Sequence, residues 1–134
     1  MVQYRNGKPD KTNYRRFRIR TVEGIDDVAA IAEVIRRRYT RLQQEHTAVP
    51  QLIIIDGGVG QLNSAVHELE NINLKIPIIS IAKQFEEIYL PGSPQVLRLN
   101  KKEKALLFVR EIRDEAHRFA IAYNRLLRKK ELRT

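Results

Sequence analysis

A run of four apolar residues, three of them β-branched, most constrains how this chain can fold. Residues 52–55 are Leu-Ile-Ile-Ile, followed at once by Asp56, two glycines and a segment with apolar residues at helical spacing. A strand without polar alternation is typical of parallel or mixed sheets that helices cover on both faces. The sequence therefore predicts a strand, a tight turn and a helix here.

The same patterns predict elements along the rest of the chain. An Asn-Gly pair at residues 6–7 indicates a hairpin. The predicted elements are a strand at 14–22 with its partner among the first five residues, a helix through about 45, the strand at 52–55, a helix at about 62–72, a strand at 76–82, a hairpin of 85–90 with 96–99, and a helix at about 102–128. This order predicts the α/β class, with a mixed β-sheet flanked by helices.

Composition bounds the size and class of the protein. The 134 residues suffice for one domain, and 43% hydrophobic with 31% charged residues is typical of a globular chain. We therefore predict a single domain over residues 1–134. The absence of cysteine excludes disulfides, zinc-thiolate sites and thiol nucleophiles. No apolar run is long enough to span a membrane, and the first residues lack a signal-peptide core.

The charge of the chain indicates the class of partner. Twenty-five Lys and Arg against sixteen Asp and Glu give a net charge of +9, and the resulting positive field attracts polyanions. Nucleic acid is the commonest such partner and an anionic membrane surface the second. A membrane role is disfavoured because each predicted helix already has an apolar stripe suited to a core.

Asp56 is a candidate metal ligand. In open α/β sheets, ligands bind beyond the carboxyl ends of strands, and a carboxylate there could hold Mg²⁺ or Mn²⁺. The alternative is a structural role as the N-cap of the next helix. Similarly, the glycines at 57, 58 and 60 could cradle a phosphate through backbone N–H groups or could serve only a tight turn.

Other polar residues have two possible roles each. Asp26 and Asp27 could be metal ligands or general bases, or could cap a helix. His117 could bind a metal while Asp114, three residues earlier on the same helix face, orients it. It could also be a solvated histidine. Arg16, Arg18 and Arg20, with Tyr14, form a basic strand face suited to a phosphate backbone or stacked bases, or simply a solvated face.

Five segments, taken together, match one known family in sequence and order. They are Tyr14-Arg15-Arg16-Phe17-Arg18-Ile19, Gly24-Ile25-Asp26-Asp27, Arg36-Arg37-Arg38-Tyr39, Ile55-Asp56-Gly57-Gly58 with Gly60-Gln61-Leu62, and Arg113-Asp114-Glu115-Ala116-His117-Arg118-Phe119-Ala120-Ile121. They resemble the C-terminal endonuclease domain of UvrC, a subunit of the bacterial excinuclease ABC.

The resemblance implies an RNase H-like fold and a role in nucleotide excision repair. It implies incision 5′ to a lesion in damaged double-stranded DNA bound by UvrB, in the cytoplasm, as part of the DNA-damage (SOS) response. Among site residues it implies Asp56 and His117 as metal-binding catalytic residues and Asp27 as a further catalytic aspartate, with Mg²⁺ or Mn²⁺ as cofactor. Candidate DNA-binding residues are Arg16, Arg18, Arg20, Lys83 and Arg113.

The chain departs from the family pattern in two places. The family has an aspartate on the first, central strand of its sheet, upstream of where this chain begins. We therefore expect a partial RNase H-like domain of a larger protein, lacking that strand and cleaving DNA poorly by itself. Val59 stands where the family has a lysine, which puts a phosphate contact of the glycine turn in question.

Two functions of different classes follow. The first is a metal-dependent endonuclease domain that hydrolyses phosphodiesters. The alternative is a non-catalytic nucleic-acid-binding module on the same fold, in which the carboxylates are structural. Metal dependence distinguishes the two.

Overall fold

Four strands and two helices make up the middle of the chain in a computed structural model. The structure describes residues 1–16, 27–82, 87–93, 96–98, 100 and 102–132, with the backbone alone at Asp27 and at residues 131 and 132. The described residues fall into two compact units, Ile19–Lys101 and Met1–Arg18 with Lys102–Thr134. The prediction of a single domain over residues 1–134 stays a prediction.

The unit of Ile19–Lys101 confirms the predicted α/β class. Its elements in chain order are α1 (Asp27–Gln44), β3 (Ile53–Asp56), α2 (Val59–Asn71), β4 (Ile78–Ala82), β5 (Glu87–Tyr89) and β6 (Val96–Arg98). The four strands form one sheet in the order β3-β4-β5-β6. The pair β3–β4 is parallel, and the pairs β4–β5 and β5–β6 are antiparallel. The sheet is therefore mixed, and β3 lies at one end of its described part.

Both helices cover one face of this sheet. Ile53 and Ile55 of β3 are paired with Ile78 and Ser80 of β4, and alternate residues of a strand share a face. This face belongs to a core whose helical members are the predicted apolar stripes, namely Ile35, Tyr39, Leu42, Leu62, Ala65 and Leu69. Leu62 and Ala65 are completely buried. The predicted helix-on-sheet packing is thus confirmed.

The second unit, formed by the two ends of the chain, contains a hairpin and a long helix. Strands β1 (Tyr4–Arg5) and β2 (Lys8–Pro9) pair antiparallel, and a 3₁₀ turn at Lys11–Asn13 follows. Asn6 and Gly7 join the strands with φ of 53° and 78°, the left-handed conformation that a two-residue hairpin turn requires. The predicted Asn-Gly hairpin is confirmed.

The predicted strand at residues 14–22 is wrong for its described part. Residues 14–16 belong to no strand, and residues 17–22 lie outside the described ranges. Only one backbone exchange resembles the expected pairing: the amino group of Met1 donates to the carbonyl of Arg15 at 3.0 Å, and the N–H of Arg15 donates back at 3.2 Å. The side chains of Tyr14 and Arg16 instead contact α3, the helix Lys104–Leu132.

Helix α3 differs from its predicted apolar stripe. Leu106 and Val109 are buried, as expected. Ala105, Ala120 and Leu126 are exposed, and the other five predicted members are only half-buried, namely Ile112, Ala116, Phe119, Tyr123 and Leu127. No helix in the described part of the chain is long and apolar enough to cross a membrane.

Candidate functional site

Asp56 occupies the last position of β3, on the sheet face opposite the two helices. It pairs in register with Ile81 of β4, so its side chain shares a face with Ile54 and Ile79 rather than with Ile53 and Ile55. Asp56 itself is exposed. The strand thus places an exposed carboxylate at its carboxyl end, on the face away from α1 and α2, where its partner Ile81 is buried.

The turn after Asp56 is held by backbone and side-chain hydrogen bonds. The N–H of Gly57 donates to the carbonyl of Ile81 at 3.0 Å, and the N–H of Gly58 donates to Oε1 of Gln61 at 2.7 Å. Gly58 is the N-cap of α2. The interpretation of Asp56 as that N-cap is therefore wrong, since the cap lies two residues further along.

Gly57 leaves the space that the Gln61 amide occupies. A Cβ at Gly57 would collide with the Gln61 side chain, whereas one at Gly58 would meet nothing within 4 Å. The glycines therefore serve the turn, at least at position 57. A phosphate contact by this turn stays a prediction, and Val59, where the resemblance expects lysine, is 50% exposed.

His117 lies on α3 beside the predicted Asp114. Both residues are exposed and line one shallow groove along the helix, together with Arg118, Ile121, Ala122 and Arg125. The predicted shared face of Asp114 and His117 is confirmed. Nη1 of Arg113 lies 3.9 Å from Oδ1 of Asp114. This candidate DNA-binding arginine is therefore paired with the carboxylate of its neighbour in sequence.

Glu115 connects the N-terminal segment to α3. The hydroxyl of Tyr14 donates to its Oε2 at 2.9 Å, and Nε of Arg118 donates to its Oε1. These hydrogen bonds, chiefly the one from Arg118, hold the pKa of the Glu115 carboxyl below its usual range. Burial, then the bond to Glu115, raises the pKa of the Tyr14 phenol well above its usual range. Sequence reasoning missed this network, which joins residues 101 positions apart.

Arg16 stacks on α3 instead of lining a basic strand face. Its guanidinium lies 5.2 Å from the ring centre of Phe119 and 5.3 Å from that of Tyr123, within cation–π range. Tyr14 also meets Phe119 edge-on, at 5.2 Å between ring centres. Arg18, Arg20 and Lys83, the other predicted DNA-binding cations, lie outside the described residues.

Buried charges in the unit Ile19–Lys101 also escaped the sequence analysis. Glu33 of α1 is 1% exposed and pairs with Arg37, one helical turn on, at 3.1 Å. Glu87 of β5 pairs with Arg98 at 3.3 Å and accepts a hydrogen bond from Tyr89. The spacing of four residues in the first pair is the only signal that could have revealed it.

The donors in the described residues fit a divalent metal only in part. Asp56 offers hard oxygens and His117 a nitrogen, which suit Mg²⁺ or Mn²⁺. Asp56 belongs to the unit Ile19–Lys101 and His117 to the other unit. Among the described side chains, no three His, Asp or Glu residues form a group that could hold a metal. The third predicted site residue, Asp27, begins α1, and its side chain is outside the description.

Comparison with known proteins identifies the family. Residues 1–121 match the family described as the UvrC RNase H endonuclease domain. The chain is 66% identical over 132 residues to the UvrABC system protein C of Methanococcus maripaludis, covering 98% of this chain and 25% of that protein. The relative of the same name from Methanosarcina mazei gives the same four figures. In Cytophaga hutchinsonii, the protein of that name is 50% identical over 133 residues, covering 98% of this chain and 22% of that protein.

The chain thus spans about a quarter of the length of these relatives. The family match over residues 1–121 includes the strand-turn-helix segment that carries Asp56. The mixed sheet with its helices agrees with an RNase H-like domain. The sequence and the fold therefore agree that this chain belongs to the family of UvrC RNase H endonuclease domains.

Proposed function

We propose that this chain is the nuclease domain that cuts DNA 5′ to a lesion in a UvrABC repair system, with Asp56 as a ligand of Mg²⁺ or Mn²⁺. The single observation that supports it most is the position of Asp56, exposed at the carboxyl end of β3 on the sheet face opposite α1 and α2. A ligand site at the end of such a strand is the general rule for α/β sheets. The remaining ligands of this metal ion would be supplied by the larger protein.

The chemistry requires few protein groups. A divalent ion held by Asp56, with His117 as a further donor, would activate water and neutralise the charge on the leaving oxygen. Asp27 is proposed as an additional catalytic carboxylate. The basic surface would hold the sugar-phosphate backbone without reading sequence, as lesion repair requires.

The proposed partners are damaged double-stranded DNA and UvrB. The relatives are named as proteins of a UvrABC system. The net charge of +9 of this chain suits a polyanionic substrate. The cytoplasm is the proposed location. The non-catalytic binding module remains the alternative that the experiment below must exclude.

The test is an incision assay on a protein of the relatives' length that carries this chain. A duplex with one lesion, labelled to distinguish 5′ from 3′ incision, is incubated with Mg²⁺ or Mn²⁺, UvrB and the other system components. We expect Asp56→Asn to reduce 5′ incision by at least about 100-fold, comparable to the loss of a key electrostatic group in other active sites, while binding of the duplex persists.

A matched variant controls for charge and folding. Glu70 is exposed on α2 in the same unit as Asp56, so Glu70→Gln makes the same change in charge and should leave 5′ incision unchanged. Unaltered 5′ incision by Asp56→Asn would contradict the catalytic role. DNA binding without metal-dependent 5′ incision by the unaltered protein would instead favour the non-catalytic module.

A further inference from the structure

Most of the second half of α3 carries positive charge alone. Between Ala116 and Lys130 there are five Lys and Arg and no Asp or Glu, and the one acidic residue of this half, Glu131, lies next to the last residue of the helix. The first half, from Lys104 to Glu115, has three of each sign. The helix is therefore nearly neutral where it begins and strongly basic over residues 116–130.

Four of these cations share one face of the helix. They are Arg118, Arg125, Arg128 and Lys129. Arg125 follows Arg118 by seven residues, and Arg128 and Lys129 follow Arg125 by three and four, which places all four on the same side. We call these four residues the basic stripe. All four are exposed, and Arg118 and Arg125 line the shallow groove that also holds His117.

The opposite face of α3 is already occupied. Phe119 and Tyr123 lie about half a turn away from the stripe, and they contact Tyr14 and Arg16 of the N-terminal segment. That segment therefore covers the aromatic side of the helix and leaves the basic stripe facing outward.

Most of the stripe is not neutralised within its own unit. Arg118 pairs with Glu115. Among the side chains that the structure describes, Arg125, Arg128 and Lys129 form no ion pair. Three uncompensated cations within two turns of a helix repel one another, so a polyanion bound there would relieve this repulsion.

We propose that the basic stripe is a docking surface for the phosphate backbone of a nucleic acid. The twelve residues from Arg118 to Lys129 extend over about 16 Å of helix, a length along which one strand of B-DNA carries about five phosphates. This surface lies outside the cations expected from sequence to bind DNA, and it does not rest on a catalytic role for Asp56.

A nucleic acid fits this surface better than a membrane does. An interfacial helix inserts a broad apolar face beside its basic one. In α3 the aromatic face is engaged by the N-terminal segment, and the centre of the groove offers only Ile121 and Ala122. The large apolar side chains exposed beside the stripe, Ile121 and Leu126, are too few to form the broad face that an interfacial helix inserts.

Salt dependence of DNA binding tests the proposal. The affinity of this chain for an undamaged 20-base-pair duplex is measured by fluorescence anisotropy over a range of NaCl concentrations. Each phosphate contact contributes about −0.9 to the slope of log K against log salt, so Arg125→Gln combined with Lys129→Gln should reduce the slope by about 2. We expect at least tenfold weaker binding near 100 mM salt.

The control removes equal charge elsewhere. Lys8→Gln with Lys75→Gln also lowers the net charge by two, at exposed positions on other elements, and should change the affinity no more than about twofold. Equal losses in the two double variants would overturn the proposal, since net charge alone would then explain binding. No binding by the unaltered chain, or binding to anionic vesicles at 150 mM salt in place of DNA, would overturn it as well.

The result is independent of nuclease function. Asp56→Asn should bind the duplex like the unaltered chain, and equal melting temperatures of all variants show that each is folded. If the chain's nuclease function fails its incision test while the double variant of the basic stripe still binds the duplex more weakly, only the proposed function is contradicted.

Discussion

At the scale of single residues, Gly57 determines how the turn after Asp56 is built. A side chain there would push the Gln61 amide away from the Gly58 N–H that it caps. Gly60, three residues on, lies within α2, and a Cβ there would meet only Val28 at an ordinary 3.8 Å. The two glycines of one motif therefore have different physical roles.

This difference predicts stability changes of opposite sign. Gly57→Ala should lower the free energy of unfolding by about 1 kcal/mol, because one capping hydrogen bond is lost. Gly60→Ala should raise it by about 0.5–1 kcal/mol, because alanine is the better helix former. Chemical denaturation of the two variants measures both. Equal changes in the two variants would contradict the assignment of the cap to Gln61.

Glu115 contributes to the loss of folding stability at low pH. Its pKa is lower in the folded chain, first because of Arg118 and then because of Tyr14. A carboxyl whose pKa falls on folding stabilises the folded state above its unfolded pKa of about 4.3. That contribution is lost as the pH falls through the folded pKa.

We therefore expect Glu115→Gln to be less stable than the unaltered chain at pH 6, and to lose less stability between pH 6 and pH 3. Melting temperatures followed by circular dichroism across this range measure the effect. Glu111→Gln, at an exposed glutamate of the same helix, should parallel the unaltered chain. A Glu115→Gln curve that falls as steeply as that of the unaltered chain would contradict the account.

At the scale of elements, the N-terminal segment stabilises the middle of α3. Tyr14 contributes a ring contact to Phe119 and a hydrogen bond to Glu115. Together such contacts are worth about 1–3 kcal/mol. The long helix therefore depends on residues from the other end of the chain.

Amide hydrogen exchange detects this dependence. Tyr14→Ala should increase exchange rates around residues 115–123 by at least about tenfold, which corresponds to about 1.4 kcal/mol of local opening. Tyr14→Phe keeps the ring and loses only the hydrogen bond, so its effect should be smaller. Amides of α2 serve as the internal reference. Unchanged exchange in α3 of Tyr14→Ala would show that the segment does not stabilise the helix.

Elements with a strong local pattern were predicted well from sequence. Helices α1 and α2 and strands β3 and β4 contribute the expected apolar residues to the core. In these elements the spacing of apolar residues along the sequence matches the side of the helix or strand that is buried. The strand at 14–22 failed because the side chains of Tyr14 and Arg16 contact a helix about 100 residues later. Alternation of polar and apolar residues within a segment carries no information about such a partner.

The candidate site was predicted less completely. Asp56 could be placed because its position follows from the end of a buried strand. The N-cap could not, since an aspartate and a glycine are both good caps and only the backbone of the turn selects Gly58. The basic stripe was also missed, because net charge indicates a kind of partner without showing which face of the molecule meets it.

At the scale of the whole molecule, charge and catalysis are separable properties. The net charge of +9 favours any polyanion, and the stripe on α3 concentrates part of it. The carboxylate of Asp56 stands at the carboxyl end of a buried strand in the other unit. Removing either feature should therefore affect one measurable property and leave the other intact.

The metal ligand is the central claim, and a calorimetric titration of Mn²⁺ tests it most directly. The titration uses a protein of the relatives' length that carries this chain, beside Asp56→Asn and the matched Glu70→Gln. The account predicts equal Mn²⁺ binding by the unaltered protein and Glu70→Gln, and at least tenfold weaker binding by Asp56→Asn. Substituting residues that only hydrogen-bond to a metal ligand commonly lowers metal affinity by about that factor, so loss of a ligand should lower it at least as much. Binding by Asp56→Asn with unaltered affinity and stoichiometry would contradict it.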